Sequence, residues 1–128
     1  MKLKEILRAV TVLSFSAHME TEITDITNDS RAVKPGCLFV AVTGFVTDGN
    51  RYIPMALEKG AVAVVTAKRP NADIPYVLVA SDRLALALIG CNFFHHPSEA
   101  MTIIGVTGTK GKSSTAYFLR HILDIHKL

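Results

Sequence analysis

Several things are scarce in this chain, and each scarcity excludes a class. No apolar run reaches the roughly 18 residues that a membrane span requires; the longest, Leu84 to Cys91, is helix-length core material. There are two cysteines, Cys37 and Cys91, without metal-ligand spacing. Each lies in an apolar segment, which reads as a buried free thiol in a reducing cytoplasm rather than a disulfide framework or a zinc site. Net charge is small, +3 in 128 residues, which gives no basic surface of the kind nucleic acid needs. Internal repeats and low-complexity segments are lacking too, so solenoid and linker architectures are set aside. The N-terminal "MKLKEILRAVTVLSFSAHME" has the two lysines and apolar residues of a signal peptide, but Glu5 and Arg8 interrupt it and its apolar positions have helical spacing.

What charge there is lies in one place. Residues 1–107 hold ten Lys/Arg and ten Asp/Glu, which cancel. Residues 108–128 hold Lys110, Lys112, Arg120 and Lys127 against Asp124 alone, so the whole excess falls in and after a glycine-rich loop. That placement suits a phosphate ligand.

The patterning predicts an α/β protein. Leu3, Ile6, Leu7 and Val10 fit a short N-terminal helix, and "TEITDIT" a short strand. "CLFVAV", bounded by Pro35-Gly36 and Gly44, is apolar on both faces, as in a strand covered on both sides. "RYIPMALEKG" reads as a helix with Pro54 in its first turn and Gly60 at its end. "AVAVVT" and "YVLVA" read as strands around a turn, "KRPNADIP". Ser81 is placed to cap a helix from Asp82 to about Phe94, with Asp82 favourable in the first turn. The expected order is αββαββα, then a strand, a glycine loop and a last helix from about Lys112. A break falls at His95–Ala100, so that residues 1–98 form one domain and 99–128 begin another. Tyr117, Phe118, Ile122 and Leu123 on the last helix need apolar partners, for which self-association is one expected source.

"GVTGTKGKSST" carries the most chemistry. The strict Walker pattern fails by one position, because Val106 stands where its first glycine belongs. The physical demand is still met. Gly108 and Gly111 permit a tight turn with N–H groups facing phosphate, and the following helix adds its positive end. Lys112 can reach the terminal phosphates and Ser113 can ligate Mg²⁺. Lys110 faces either phosphate or solvent.

With this loop the sequence resembles the Mur ligases, whose ATP loop has the form G-T-G-T-N-G-K-[TS]. The earlier "NDSRAVKPGCLFVAVTGFVTDGNRYIPMALEKGAVAVV" is similar to their N-terminal UDP-binding domain. The pairing of "DSR…PG.LFVA..G...DG..YI..A...GA.AVV", "DRLALA", "PS" and the loop is closest to the members that add the third peptide residue to UDP-N-acetylmuramoyl-L-Ala-D-Glu. It covers about residues 22–120. The resemblance implies a small α/β domain holding the uridine end of UDP-N-acetylmuramoyl-dipeptide, followed by the first strand, P-loop and helix of a P-loop NTPase-like domain binding ATP and Mg²⁺. It implies a cytoplasmic enzyme of peptidoglycan synthesis that phosphorylates a carboxylate to an acyl phosphate, which an amine then attacks.

On that resemblance Gly108, Thr109, Lys110, Gly111, Lys112, Ser113 and Ser114 match the ATP loop, with Lys112 on the phosphates as the catalytic residue and Ser113 on Mg²⁺. Ser30 matches a serine contacting UDP, with Asn28 beside it. Phe45, Val46 and Thr47 match a segment lining the uridine site. Phe45 and Val46 stand where some members carry polar residues, and Lys110 stands where asparagine is commoner. The metal-binding acids, the carbamylated lysine and the C-terminal domain of the family are missing from these 128 residues, so an N-terminal portion that binds without catalysis is expected. A stand-alone UDP-sugar-binding module and an unrelated P-loop NTPase are the alternatives.

Other residues take plainer readings. Asp29 and Arg31 read as an ion pair holding a loop. Asp48-Gly49 reads as a turn, and Tyr52 and Phe39 as core. His95 and His96, and His121 and His126, lack ligand spacing and read as surface residues.

Overall fold

The structure is a computed structural model and describes residues 1–44 and 47–99. The chain divides into two compact units, Met1–Pro97 and Ser98–Leu128. The expected strand at 101–107, glycine loop and last helix, with His121 and His126, lie outside the described residues.

The first unit is built on a five-stranded mixed sheet. Its elements in chain order are α1 (Leu3–Ile6), β1 (Val12–Phe15), β2 (Asp25–Thr27), β3 (Cys37–Val40), α2 (Ile53–Glu58), β4 (Ala63–Thr66), β5 (Tyr76–Val79) and α3 (Asp82–Phe93). Short 3-10 turns occupy Ser30–Ala32, Gly49–Tyr52 and Pro97–Glu99. The sheet order is β1-β5-β4-β3-β2. β2, β3, β4 and β5 run parallel, and β1 pairs antiparallel with β5 at one edge.

The side-chain alternation of β3 and β4 explains the three layers. Leu38, Val40, Ala63 and Val65 join Leu3, Ile6, Ala85 and Ile89 of α1 and α3 in one core. Cys37, Phe39 and Val64 face the other way, onto Ile53 and Ala56 of α2. Every residue of both strands is therefore buried, as their continuous apolar sequence requires. Burial also raises the pKa of the Cys37 thiol, while Cys91 is a half-buried free thiol.

Three local expectations change. First, α1 ends before Val10, because Ala9 adopts a left-handed backbone with φ of 67°. The chain then forms β1, a strand absent from the expected order, held by its pairing with β5. Second, β4 and β5 are parallel, although only residues 67–75 join them and no helix intervenes. Ile74 in that link packs on the α2 side of the sheet. Third, α2 begins only at Ile53, because Arg51 and Tyr52 belong to the 3-10 turn that runs into it. Ser81 caps α3 as its sequence predicts, its hydroxyl accepting the Leu84 amide at 3.3 Å. Among the described residues no helix is long and apolar enough to cross a membrane.

Candidate functional site

Parallel strands place their following loops at one end of a sheet, where ligands of open α/β sheets gather. Here the chain leaving β2 and β3 encloses a cleft of about 710 Å³. It is lined by Asn28, Asp29, Ser30 and Arg31 after β2, by Val42, Thr47 and Gly49 after β3, and by Tyr52 and Met55 at the start of α2. That volume lies within the range of small-molecule sites.

The wall after β2 is a self-contained turn. The Asp29 carboxylate accepts the Arg31 amide at 2.9 Å and caps the 3-10 turn. It also accepts Nε and Nη2 of Arg31, both at 3.1 Å. This is the ion pair expected from the sequence, and the Arg31 hydrogen bonds hold the Asp29 carboxyl below its ordinary pKa. The Thr27 hydroxyl accepts the Asp29 amide at 3.0 Å. Arg31 itself is 85% exposed, so its guanidinium stands at the rim. Ser30 between them is only 7% exposed, yet among the described residues its hydroxyl has no protein partner.

A small hairpin closes the wall after β3. Gly49 donates its amide to Val42 at 2.9 Å, Thr43 and Asp48 form an antiparallel bridge, and Gly44 donates to Thr47 at 3.1 Å. A side chain at Gly49 would place Cβ 2.7 Å from the Val42 nitrogen and 2.8 Å from its oxygen, so the two arms can approach only with glycine there. Phe45 and Val46 lie outside the described residues.

Both arms of the hairpin are fastened from elsewhere in the chain. Asp48 accepts Asn50 Nδ2 at 2.7 Å, the Asn50 amide at 2.9 Å and Lys68 Nζ at 2.6 Å. Lys68 first, then Asn50, lower the Asp48 pKa to about 2. Thr66, the fully buried end of β4, donates its hydroxyl to Asn50 Oδ1 and accepts the Lys68 amide at 3.1 Å. On the other arm, Asp82 accepts the Thr43 amide at 2.9 Å and Arg83 Nη2 donates to the Thr43 carbonyl at 3.3 Å.

Of the residues singled out by sequence, Asn28, Ser30 and Thr47 meet in this cleft. Gly108, Thr109, Lys110, Gly111, Lys112, Ser113 and Ser114 lie outside the described residues. Arg31, read as structural, also lines the cleft, and Tyr52, read as core, is half-buried in its wall. Phe39 is core, as expected. Val42, Gly49 and Met55 were not singled out as site residues. Their signal was weak, since Met55 reads as an ordinary helix position and Asp48-Gly49 as an ordinary turn. His95 and His96 are exposed.

Residues 22–90 match the family model described as Mur ligase family, catalytic domain. A UDP-N-acetylmuramyl-tripeptide synthetase from Roseiflexus sp. is 45% identical over 127 residues, which are 97% of this chain and 25% of that protein. A UDP-N-acetylmuramoyl-L-alanyl-D-glutamate--2,6-diaminopimelate ligase from Listeria monocytogenes is 36% identical over 123 residues, 96% of this chain and 25% of that protein. Among solved structures, the UDP-N-acetylmuramoylalanyl-D-glutamyl-2,6-diaminopimelate--D-alanyl-D-alanyl ligase of Acinetobacter baumannii aligns with a TM-score of 0.75 and 26% identity, covering 96% of this chain and 28% of that one. The MurF ligase of Thermotoga maritima in complex with ADP aligns with a TM-score of 0.63 and 32% identity over 81% of this chain and 23% of its own. The chain thus spans about a quarter of the length of the curated relatives it matches.

Proposed function

The chain belongs to the Mur ligase family, and on that premise we propose that residues 1–98 hold the uridine diphosphate end of UDP-N-acetylmuramoyl-L-Ala-D-Glu. The observation that carries this reading is Ser30. It is buried at the cleft beside Asn28 and Thr47, with a hydroxyl that no protein group among those described satisfies. No buried polar side-chain atom among the described residues lacks a partner, so this hydroxyl opens into the cleft, where a ligand group can take the place of water.

The rest of the lining fits the same ligand. Tyr52 and Met55 offer apolar and aromatic surface to a base, and the hairpin offers peptide groups to its polar edge. Arg31 is the only cation lining the cleft among the described residues, and it is proposed to meet the diphosphate. Its bidentate hold on Asp29 fixes the guanidinium before any ligand arrives.

Residues 99–128 are proposed to begin the ATP-binding domain. Gly108, Thr109, Lys110, Gly111, Lys112, Ser113 and Ser114 would cradle the phosphates, with Lys112 on the terminal ones and Ser113 as a Mg²⁺ ligand. This assignment rests on the sequence pattern, and ATP would supply the phosphoryl group. The parent activity is proposed to be cytoplasmic addition of the third peptide residue to the UDP-linked dipeptide. The 128-residue stretch by itself is proposed to bind that substrate without ligating it.

Calorimetry with the UDP-linked dipeptide tests the reading. Micromolar binding that Ser30→Ala weakens about tenfold would support it, on the scale of one lost hydrogen bond. No heat at millimolar ligand would overturn it. ADP formation by the 128-residue chain with ATP and the same ligand would overturn the non-ligating part alone.

A further inference from the structure

One residue of the hairpin is gripped on both of its peptide groups by the start of α3. Asp82 takes the Thr43 amide at 2.9 Å, and the adjacent Arg83 reaches the Thr43 carbonyl at 3.3 Å. Asp82 is only 8% exposed, one of three buried polar residues among those described. Its own helix does not account for that burial. The hydroxyl of Ser81 already caps α3 through Leu84, and Asp82 turns its carboxylate to a loop thirty-nine residues earlier in the chain. The Asp82 carboxylate makes a charge-assisted bond to that backbone N–H, stronger than a neutral one, which fixes the position of Thr43.

The hairpin itself is short, and Val42, Thr47 and Gly49 on its two arms line the cleft. Thr43 directly precedes Gly44, whose amide donates to the carbonyl of Thr47, a lining residue. Displacing Thr43 therefore moves Val42, Thr47 and Gly49 together. Resting on the reading of the cleft as a UDP site, we infer that Asp82 and Arg83 are positioning residues for nucleotide binding. They set the place of the uridine-side wall through Thr43 and touch no ligand themselves. This adds a role for the first turn of α3, whose sequence shows only favourable helix-start chemistry.

The test measures the affinity of the full 128-residue chain for UDP by calorimetry, beside its thermal midpoint. Asp82→Ala removes the acceptor and is expected to weaken UDP binding about tenfold. Asp82→Asn keeps an oxygen that can accept the Thr43 amide while removing the charge at the helix start. It is expected to bind within about threefold of the wild type, even where its midpoint falls. A merely structural role would lower both midpoints and leave both affinities alike. Equal affinities of Asp82→Ala and wild type, or equal losses in the two variants, would overturn the inference. If Asp82→Ala does not fold, Arg83→Met at the exposed neighbour decides. A two- to fivefold weaker affinity, roughly the worth of one exposed charged contact, supports positioning, and an unchanged affinity overturns it. Absence of UDP binding by the wild type would instead overturn the reading of the cleft.

Discussion

Asp29 and Asp48 each stand one residue ahead of a 3-10 turn, and each accepts the amide two residues on. Beyond that shared motif the two turns part. The Asp29 turn is completed within Thr27–Arg31, by its own arginine and a threonine two residues back. The Asp48 turn is completed by Lys68 from beyond β4 and, through Asn50, by the buried hydroxyl of Thr66. One wall of the cleft is thus held by neighbours in sequence and the other by neighbours in space. A locally completed turn can form before the sheet does, whereas the hairpin is shaped only when β3, β4 and α3 are in place.

The sharpest way to break this contrast is at the two threonines. Thr66→Val leaves Asn50 Oδ1 and the Lys68 amide unpaired at a fully buried position, and should cost about 1–3 kcal/mol in urea unfolding. Thr27→Val removes an equivalent bond at a half-buried site and should cost under about 1 kcal/mol, since water can replace the hydroxyl. Equal costs would erase the distinction between the two walls.

A smaller effect should separate the walls by ligand part. Arg31→Gln should weaken UDP binding about two- to fivefold, as expected for one exposed charged contact, and leave uridine binding unchanged. A matching loss for uridine would place Arg31 in the shape of the wall rather than on the diphosphate.

The smallest effect is read in acid. The Asp48 carboxyl titrates at about 2 in the folded chain, below the roughly 3.9 of an unfolded aspartate. The folded state is the weaker proton binder, so this stabilisation is complete above about pH 4 and is lost as pH falls towards 2. Asp48→Asn should flatten that part of the urea-midpoint profile. Asp29→Asn should flatten it too, since Arg31 lowers that carboxyl in the same direction. A steeper acid loss in either variant would contradict the signs. Glu20, held to about 2 by Lys4 and Lys2, keeps part of the slope in both variants.

The same contrast explains what was legible beforehand. Doubly covered β3 and β4, α2 with its Pro54, and the Ser81 cap all follow from periodicity or from residues adjacent in sequence. So did the Asp29–Arg31 pair. β1 was not legible, because Ala9 ends α1 without a glycine or proline to mark it and the strand depends on its pairing with β5. Of the cleft, Asn28, Ser30 and Thr47 came from family resemblance rather than from pattern. The fastenings of Thr43 to Asp82 and Arg83, and of Asp48 to Lys68, could not have been read, because those partners are far away in the chain.

At the opposite end of the sheet from the cleft, Gly36 donates its amide to the carbonyl of Gly60 at 3.0 Å. Gly60 has φ of 106°, and a Cβ there would lie 2.7 Å from Pro35 Cα, so no other residue allows this approach. The contact joins the chain entering β3 to the chain leaving α2. In kinetic terms it is a late checkpoint: it can form only after the excursion from β3 through α2 has returned, and it then lets β4 dock in register. Substituting Gly60 should therefore delay refolding of the whole β2–β3–β4 unit while leaving the cleft end of the sheet chemically untouched.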